Sequence, residues 1–310
     1  MELRQLKTFQ TVAKLLSFNR AAEILNYAQS TVSAQIRSLE EELGVPLFDR
    51  LGKRVILTEA GQSLMRYAQK MLDIEEETFS VVSGRTEPRG SLCVRIPQSL
   101  ATYYLPAVLS GFLARYPQVG FDISTCCGYR SLEHELKTGV TDVGFLLSDA
   151  VQANELDFEV LGIAQLVMVA HPGHALAGKA VVGLRDLEGE AAILSKHDCG
   201  YRMVFEQMLA EEGVKTAAVI EMNSIEAVKQ CVMRGIGVTI MPEIAVQREV
   251  HEKALAVLPW EDGPLETAIL MIWHRNKWRS PTLQVFMDMC REAVCRPAEE
   301  DGNCLLLSSG

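Results

Sequence analysis

The sequence predicts an α/β chain in three parts: a small helical domain closed by a basic hairpin, one long helix, and a larger domain of alternating strands and helices. Three observations carry this. Apolar residues recur at helical spacing in three short runs before residue 44, a heptad-like seam runs through 60–81, and strand and helix signals alternate from residue 92 onward. With 310 residues and 48% hydrophobic content, the chain can bury more than one core.

Taken in order, Leu3, Leu6, Phe9, Ala13 and Leu16 recur at steps of three or four and predict the first helix. Ser17 and Asn19 offer capping oxygens to a second, short helix whose Ala21, Ala22 and Leu25 supply a small buried face. In NYAQSTVSAQIRSLEEELG (26–44), Val32, Ile36, Leu39 and Leu43 form one apolar stripe, stopped by Gly44 and Pro46. PLFDRLGKRVILT then reads as two strands around a turn at Leu51–Gly52–Lys53, with Arg50, Lys53 and Arg54 at its tip. Three short helices and a basic hairpin within 1–58 make a winged helix-turn-helix.

Thr58 suits the cap of a long helix over 59–87. Ala60, Leu64, Tyr67, Met71, Ile74, Thr78 and Val81 alternate steps of four and three, which favours a self-pairing seam over packing on the helix's own domain. Leu64, Tyr67, Met71, Ile74 and Val81 are the expected dimer contacts. Gly84 and Pro88 break the helix, and SGRTEPRG reads as a linker. Beyond it come a strand at LCVRI, a helix over 100–115, a strand at VGFDIST, a helix at RSLEHELKTG and a strand at DVGFLL. AQLVMVA, AAILS, AAVIEM, GVTIM and AILMIW are strand-like, with helices near 201–212, 224–234 and 281–294. That alternation predicts parallel sheets with helices on both faces, in two βα subdomains. The tail 296–310 lacks periodicity and is expected to be disordered.

Charge is distributed unevenly. The net −10 arises beyond residue 90, whereas residues 1–58 hold eight Lys/Arg against six Asp/Glu. The acidity of the larger domain therefore says little about what the first 58 residues touch. No apolar run approaches the roughly 20 residues of a membrane span, and MELRQLKTFQ lacks the block of a secretory signal, so a cytoplasmic chain is expected. Eight scattered cysteines fit free thiols in a reducing compartment.

If Val32, Ile36, Leu39 and Leu43 face the core, then Gln29, Ser30, Thr31, Ser33, Gln35 and Arg37 lie on the other side or at the helix N-terminus. Gln and Arg can bond base edges in the major groove, and Ser and Thr can contact phosphate or bases. A polar helix face by itself is more often merely solvated. The tight turn before it and the basic hairpin after it favour double-stranded DNA. Glu40, Glu41 and Glu42 would be repelled by phosphate, so the first two turns of the helix are the ones expected in the groove.

The run SFNRAAEILNYAQSTVSAQIRSLEEELGVPLFDRLGKRVILTEAG closely resembles the N-terminal domain of LysR-type transcriptional regulators. YYLPAVLSGFLARYPQV, the Asp142-Val-Gly pattern after Gly139, HPGHALAG and GIGVTIMP are similar to landmarks of that family's C-terminal domain, so the resemblance covers about 1–295. It implies a dimer held by the long helices, two dimers forming a tetramer on an inverted-repeat operator, and contact with RNA polymerase. It also implies a periplasmic-binding-protein-like effector domain over 88–295, with subdomain I at 88–161 and 266–295 and subdomain II at 162–265. A small effector would sit between them and alter operator binding or DNA bending. Loops beyond strand ends suit such a ligand. By the resemblance Ser99, Leu100, Gly128, Tyr129, Cys199, Gly200 and Tyr201 line the site, although Ser99 alone reads equally as a helix cap.

An organic anion would suit helix N-termini and hydroxyls, with Arg130 and Arg202 the nearest cations in sequence. Peroxide-sensing members of the family carry a reactive cysteine near Cys199, which makes a thiol-based sensor an alternative. A resolving cysteine is missing from 200–230, and an ordinary packing cysteine is the favoured reading. GHALAGKA has phosphate-loop spacing but ends in Ala180 where a hydroxyl is needed, and His171 and His174 lack metal partners. No G-x-S-x-G elbow or acid/base pair occurs, so no enzyme, metal or cofactor is expected. A ligand carrier that does not bind DNA is the rival from another class, and the N-terminal domain opposes it.

Overall fold

The computed structural model describes residues 1–51, 54–83, 87–125, 128–148, 151, 155–197, 199–261, 263 and 265–295. Lys53 and Gly52 of the hairpin turn, Gly84 of the helix break and the tail 296–310 lie outside the described residues.

Three helices, α1 (Leu3–Leu15), α2 (Phe18–Leu25) and α3 (Gln29–Leu43), precede a hairpin of β1 (Phe48–Leu51) and β2 (Arg54–Leu57). Ser17 caps α2 by accepting from the Arg20 N–H at 3.3 Å, and Gly44 ends α3 in a left-handed conformation at φ 73°. Their shared core contains Leu6, Phe9, Val12, Ala21, Val32, Ile36 and Leu39, with the Phe9 and Phe18 rings 5.4 and 5.7 Å from Phe48. Leu3, Leu16 and Leu43 do not join it. Each sits at a helix end, beyond the reach of the neighbouring helices, and all three are exposed. Val12, one turn from Phe9, is fully buried.

The long helix α4 (Glu59–Ser83) is capped by Thr58, whose hydroxyl accepts from Gly61 N–H at 3.0 Å. It has two apolar faces. Met65, Ala68 and Leu72 are buried against its own domain, while Tyr67 and Ile74 are 58% and 61% exposed. Two residues correspond to about 200° around a helix, so Tyr67 and Ile74 point away from Met65 and Leu72. Leu64 and Met71, read as dimer contacts, are half-buried on the rim of the domain's own core. One face of the helix thus packs on its own domain, and another carries apolar residues that the described residues leave uncovered. The Val81 side chain lies outside the description.

The C-terminal domain contains β3 (Ser91–Ile96), α5 (Gln98–Tyr103), α6 (Leu105–Arg115), β4 (Gly120–Thr125), α7 (Tyr129–Thr138), β5 (Val143–Leu147) and β6 (Leu156–Ala170). It continues through β7 (Ala191–Leu194), α8 (Gly200–Glu211), β8 (Ala218–Glu221), α9 (Ile225–Met233), β9 (Thr239–Pro242), α10 (Gln247–His251), β10 (Ala256–Val257), β11 (Leu265–His274) and α11 (Pro281–Cys295). The main sheet runs β10-β6-β11-β5-β3-β4, with β9 also on β6. A smaller parallel pair, β7-β8, is tied to it by the Ala192–Val238 bridge.

Three expectations are corrected. The sheets are not wholly parallel: β11 runs antiparallel to β5 and β6, and β9 and β10 antiparallel to β6. A chain that crosses to a second layer and returns must traverse the same region in opposite directions. AQLVMVA is only the second half of β6, whose first half alternates half-buried and exposed residues between the buried Leu156 and Leu161. The helix over 100–115 is two helices, broken at Tyr104 where Pro106 enters the next first turn without an N–H to donate.

The N-terminal unit contacts the larger domain directly. Lys277, between β11 and α11, reaches Asp73 of α4 at 3.1 Å and Asp142 at 3.0 Å. Burial first, then Asp73, hold the nearby Glu76 carboxyl above its ordinary 4.5, with Lys277 opposing. An acid with a raised folded pKa favours the fold below 4.5 and weakens it as pH rises through the folded value. Glu76→Gln is therefore expected to raise the thermal midpoint at pH 7 to 8, with the gain vanishing as pH falls toward 4.5, as read by differential scanning fluorimetry across that range.

Candidate DNA-reading face and effector cleft

Helix α3 is held from beneath by Val32, Ile36 and Leu39. Gln29, Ser30, Thr31 and Arg37 are exposed, and Gln29 donates to the Ser33 hydroxyl at 2.8 Å. Ser30 and Arg37 are seven residues apart and share one outward line of the helix. Gln35 departs from the expected face. It follows Val32 by three and precedes Leu39 by four, which turns it toward α1, where it accepts from the Thr8 hydroxyl at 2.6 Å. Glu40 is more than a repelling charge, because its carboxylate accepts from Leu47 and Phe48 N–H at 2.7 and 3.3 Å and joins α3 to the hairpin. In the hairpin Leu51 pairs with Arg54, the last pair of the ladder before Gly52 and Lys53, which lie outside the description. Arg50 and Arg54 flank them on the two strands, and their side chains also lie outside the description.

A cavity of about 450 Å³ opens between the two halves of the larger domain. Its walls come from the end of β3 and the start of α5 (Arg95, Gln98, Ser99), from β4, α7 and the residue between them (Ser124, Thr125, Gly128, Ser131, Glu135), from the segment before α8 and its first turn (Ser195, Lys196, Cys199, Tyr201), and from Asn223 to β9 (Ile225, Thr239, Ile240, Met241). Of the residues expected to line a ligand site, Ser99, Gly128, Cys199 and Tyr201 meet here. Leu100, Tyr129 and Gly200 do not. Leu100 packs into the core, one residue around the helix from Ser99. Tyr129 packs beside the Leu132 and Leu136 cluster, and a Cβ at Gly200 would collide with the Leu147 carbonyl, so that glycine serves the close packing of α8 on β5.

Thr239, Ile240 and Met241, within GIGVTIMP, also line the cavity, outside the residues expected there. Gln98 was also missed; its side-chain carbonyl accepts from Ile225 N–H at 2.9 Å, so α5 of one half caps α9 of the other. A lone Gln between two apolar runs carries no sequence signal of that role.

The lining is rich in hydroxyls: Ser99, Ser124, Thr125, Ser131, Ser195 and Thr239. The buried Ser195 Oγ has no hydrogen-bond partner among the described residues. Arg95 is engaged with Glu135 at 2.8 Å and lies 3.8 Å from Asp122, while Lys196 is exposed. Arg202 is turned away from the cavity, bonded to the Ser195 carbonyl and paired with Glu206 and Glu221 at 2.8 and 2.7 Å. Arg130 is exposed outside the lining.

The cysteines differ. Cys199 is buried as the residue preceding α8 and lines the cavity, and Cys231 Sγ lies 3.9 Å from Met222 Sδ. Burial pushes the Cys290 thiol up to about 12 and raises that of Cys93. Among the described residues no group of three or more His, Cys, Asp or Glu is placed to hold a metal ion, and no helix is long and apolar enough to cross a membrane.

Two family descriptions match the chain: the bacterial regulatory helix-turn-helix protein, lysR family, over residues 3–62, and the LysR substrate binding domain over 85–295. An uncharacterized HTH-type transcriptional regulator of Bacillus subtilis, YwqM, is 39% identical over 94% of this chain and 99% of its own length. Full-length OxyR C199D from Pseudomonas aeruginosa shares the fold with a TM-score of 0.75 at 22% identity, covering 95% of this chain and 94% of that one. Full-length CbnR in complex with its target DNA superposes with a TM-score of 0.60 at 22% identity, covering 94% of this chain and 100% of that one. With a helix-turn-helix unit at one end and a cleft-bearing domain at the other, the chain belongs to the LysR family and is a DNA-binding transcriptional regulator with a C-terminal effector-binding domain.

Proposed function

We propose that the protein reads an inverted-repeat operator through Gln29, Ser30, Thr31, Ser33 and Arg37, with Arg50, Lys53 and Arg54 of the hairpin on the flanking phosphates. The observation that carries this reading is the geometry of α3, anchored by Val32, Ile36 and Leu39 while Gln29, Ser30, Thr31 and Arg37 stay exposed. Gln35 positions the helix on α1 instead of reaching a base. Phosphate contacts set the register and the outward α3 side chains read base edges. RNA polymerase is the expected further partner at the promoter, and the cytoplasm the expected compartment.

Dimerisation proceeds through the outer face of α4, where Tyr67 and Ile74 leave apolar area exposed, and two dimers form the tetramer. The cleft takes a small anion, recognised by the Ser99 and Ser195 hydroxyls and by Lys196. Arg95 is not its anchor, because Glu135 already neutralises it. Binding shifts the assembly between arrangements of different operator affinity or bend. Its chemistry is recognition, with no reaction assigned to it.

Three measurements test this. In a gel-shift with the protein's own upstream region, wild type is expected to bind specifically and to weaken with salt. Arg37→Ala should cost about 1–3 kcal/mol and relax sequence preference at one position of each half-site. A salt-insensitive or absent shift removes the operator reading. Ile74→Asp should lower the oligomeric state in analytical ultracentrifugation, and an unchanged sedimentation profile argues against the α4 face. Thermal shift with inorganic phosphate, oxalate and benzoate, against glucose as a neutral control, should show stabilisation by at least one anion that disappears in a Ser99→Ala/Lys196→Met variant; equal response of variant and wild type rules out this set of contacts.

A further inference from the structure

The contact between the DNA-binding unit and the effector domain is built around one buried cation. The Lys277 side chain is 10% exposed and bridges Asp73 of α4, at 3.1 Å to both oxygens, and Asp142 at 3.0 Å. Asp142 is itself fixed on β3: its Oδ2 accepts from Cys93 N–H at 2.7 Å, and its own N–H donates to the Cys93 carbonyl at 2.9 Å. Asp73 accepts from the Gln69 side chain at 2.7 Å, and Gln69 in turn accepts from Gln10 of α1.

The same segment reaches the cleft from its other side. Glu135, which lines the cavity with Arg95, accepts from Arg95 Nε at 2.8 Å and from the Thr141 hydroxyl at 2.7 Å. Its backbone carbonyl takes the N–H groups of Val140 and Thr141 at 2.9 and 3.2 Å. Gly139, at φ 72°, lies so close to Gln69 that a side chain there would press on it, and Val140 packs on the core of the DNA-binding unit. The turn 139–142 therefore touches a cleft carboxylate on one side and the long helix on the other.

We propose that Lys277, with Asp73 and Asp142, is the joint through which cleft occupancy reaches α4, and that the turn 139–142 is the part that moves. The inference rests on the reading of the cleft as an effector site. A buried ammonium between two carboxylates is costly to leave with one partner missing, which favours a joint that is either made or open. Such an element has two discrete arrangements, as transmission between distant sites requires. A ligand seated on Ser99, Ser195 and Lys196 lies beside the Arg95–Glu135 pair in the same cavity; by displacing that pair it loosens the hold of Glu135 on Thr141, and the next residue, Asp142, carries that change to Lys277.

The test is a double-mutant cycle on the full-length protein and its own upstream DNA, with operator Kd and DNA bend as readouts. Glu135→Gln perturbs the cleft end, and Asp73→Asn weakens the joint while keeping its shape. Glu135→Gln alone is expected to change operator Kd by about fivefold or more. In the Asp73→Asn background the same substitution should have no further effect. If the two effects multiply as independent sites, or if Glu135→Gln leaves Kd and bend unchanged, the joint is not the route. Wild type that shows no specific binding sinks the regulator reading itself, which separates the two failures. If Asp73→Asn does not fold, Asp73→Asn/Lys277→Gln, which removes one charge of each sign, takes its place in the cycle.

Discussion

Two strands, β6 and β11, carry the chain between the halves of the C-terminal domain and run antiparallel over ten paired positions, with a register shift at Ile269 and Leu270 opposite Leu161. Everything that makes a cleft depends on this crossing. Because β6 continues as one strand of 15 residues, it organises β5 and β3 through β11 on one side and β9 and β10 on the other. The loops at the ends of β3, β4, β7 and β9 are thereby brought around one cavity, although 146 residues separate Arg95 from Met241. The bulge marks where the ladder accommodates the change of twist between the halves.

The DNA-binding unit depends on a different balance. Its long helix buries one face to complete a small core and leaves another uncovered. Met65, Ala68 and Leu72 are on the buried face, and Tyr67 and Ile74 on the exposed one, the face proposed for pairing. Leu64 and Met71 lie between the two faces, so a change in how the helix seats on its domain alters the surface it presents. The junction with the effector domain is made at this helix too, through Gln69, Asp73 and Lys277. Domain packing, contact with the effector domain and an uncovered apolar face thus converge on about three turns of one helix.

Some of this was legible in the residues alone. The three short helices, the hairpin, the long helix and most strands follow from periodicity, because the burial of a face is a local property read every third, fourth or second residue. The failures are as specific. Leu3, Leu16 and Leu43 continue an apolar stripe past the point where a neighbour exists to cover it. Gln35 reads as polar and outward, yet its offset from Val32 and Leu39 places it on the buried flank, where Thr8 meets it. In the cleft, Ser99, Gly128, Cys199 and Tyr201 could be named because the family resemblance points to loops after strands; Leu100, Tyr129 and Gly200 stand in the same loops but turn elsewhere. Thr239, Ile240 and Met241 read only as a buried strand, and nothing adjacent in sequence shows that one face of it meets a cavity.

The sequence by itself determined the elements, the division into a helical unit, a long helix and an α/β domain, and a polar face on α3 suited to a groove. Those depend on interactions within a few residues, or on motifs whose spacing is local. Only the tertiary structure decided which charges remain available. Arg95 is neutralised by Glu135, 40 residues away, Arg202 by Glu221, 19 residues away, besides Glu206 one turn along its own helix, and Lys277 by Asp73, 204 residues away, and Asp142. A cation's role follows from the carboxylates within about 4 Å of it. That neighbourhood is set by how distant segments pack, which no local pattern encodes.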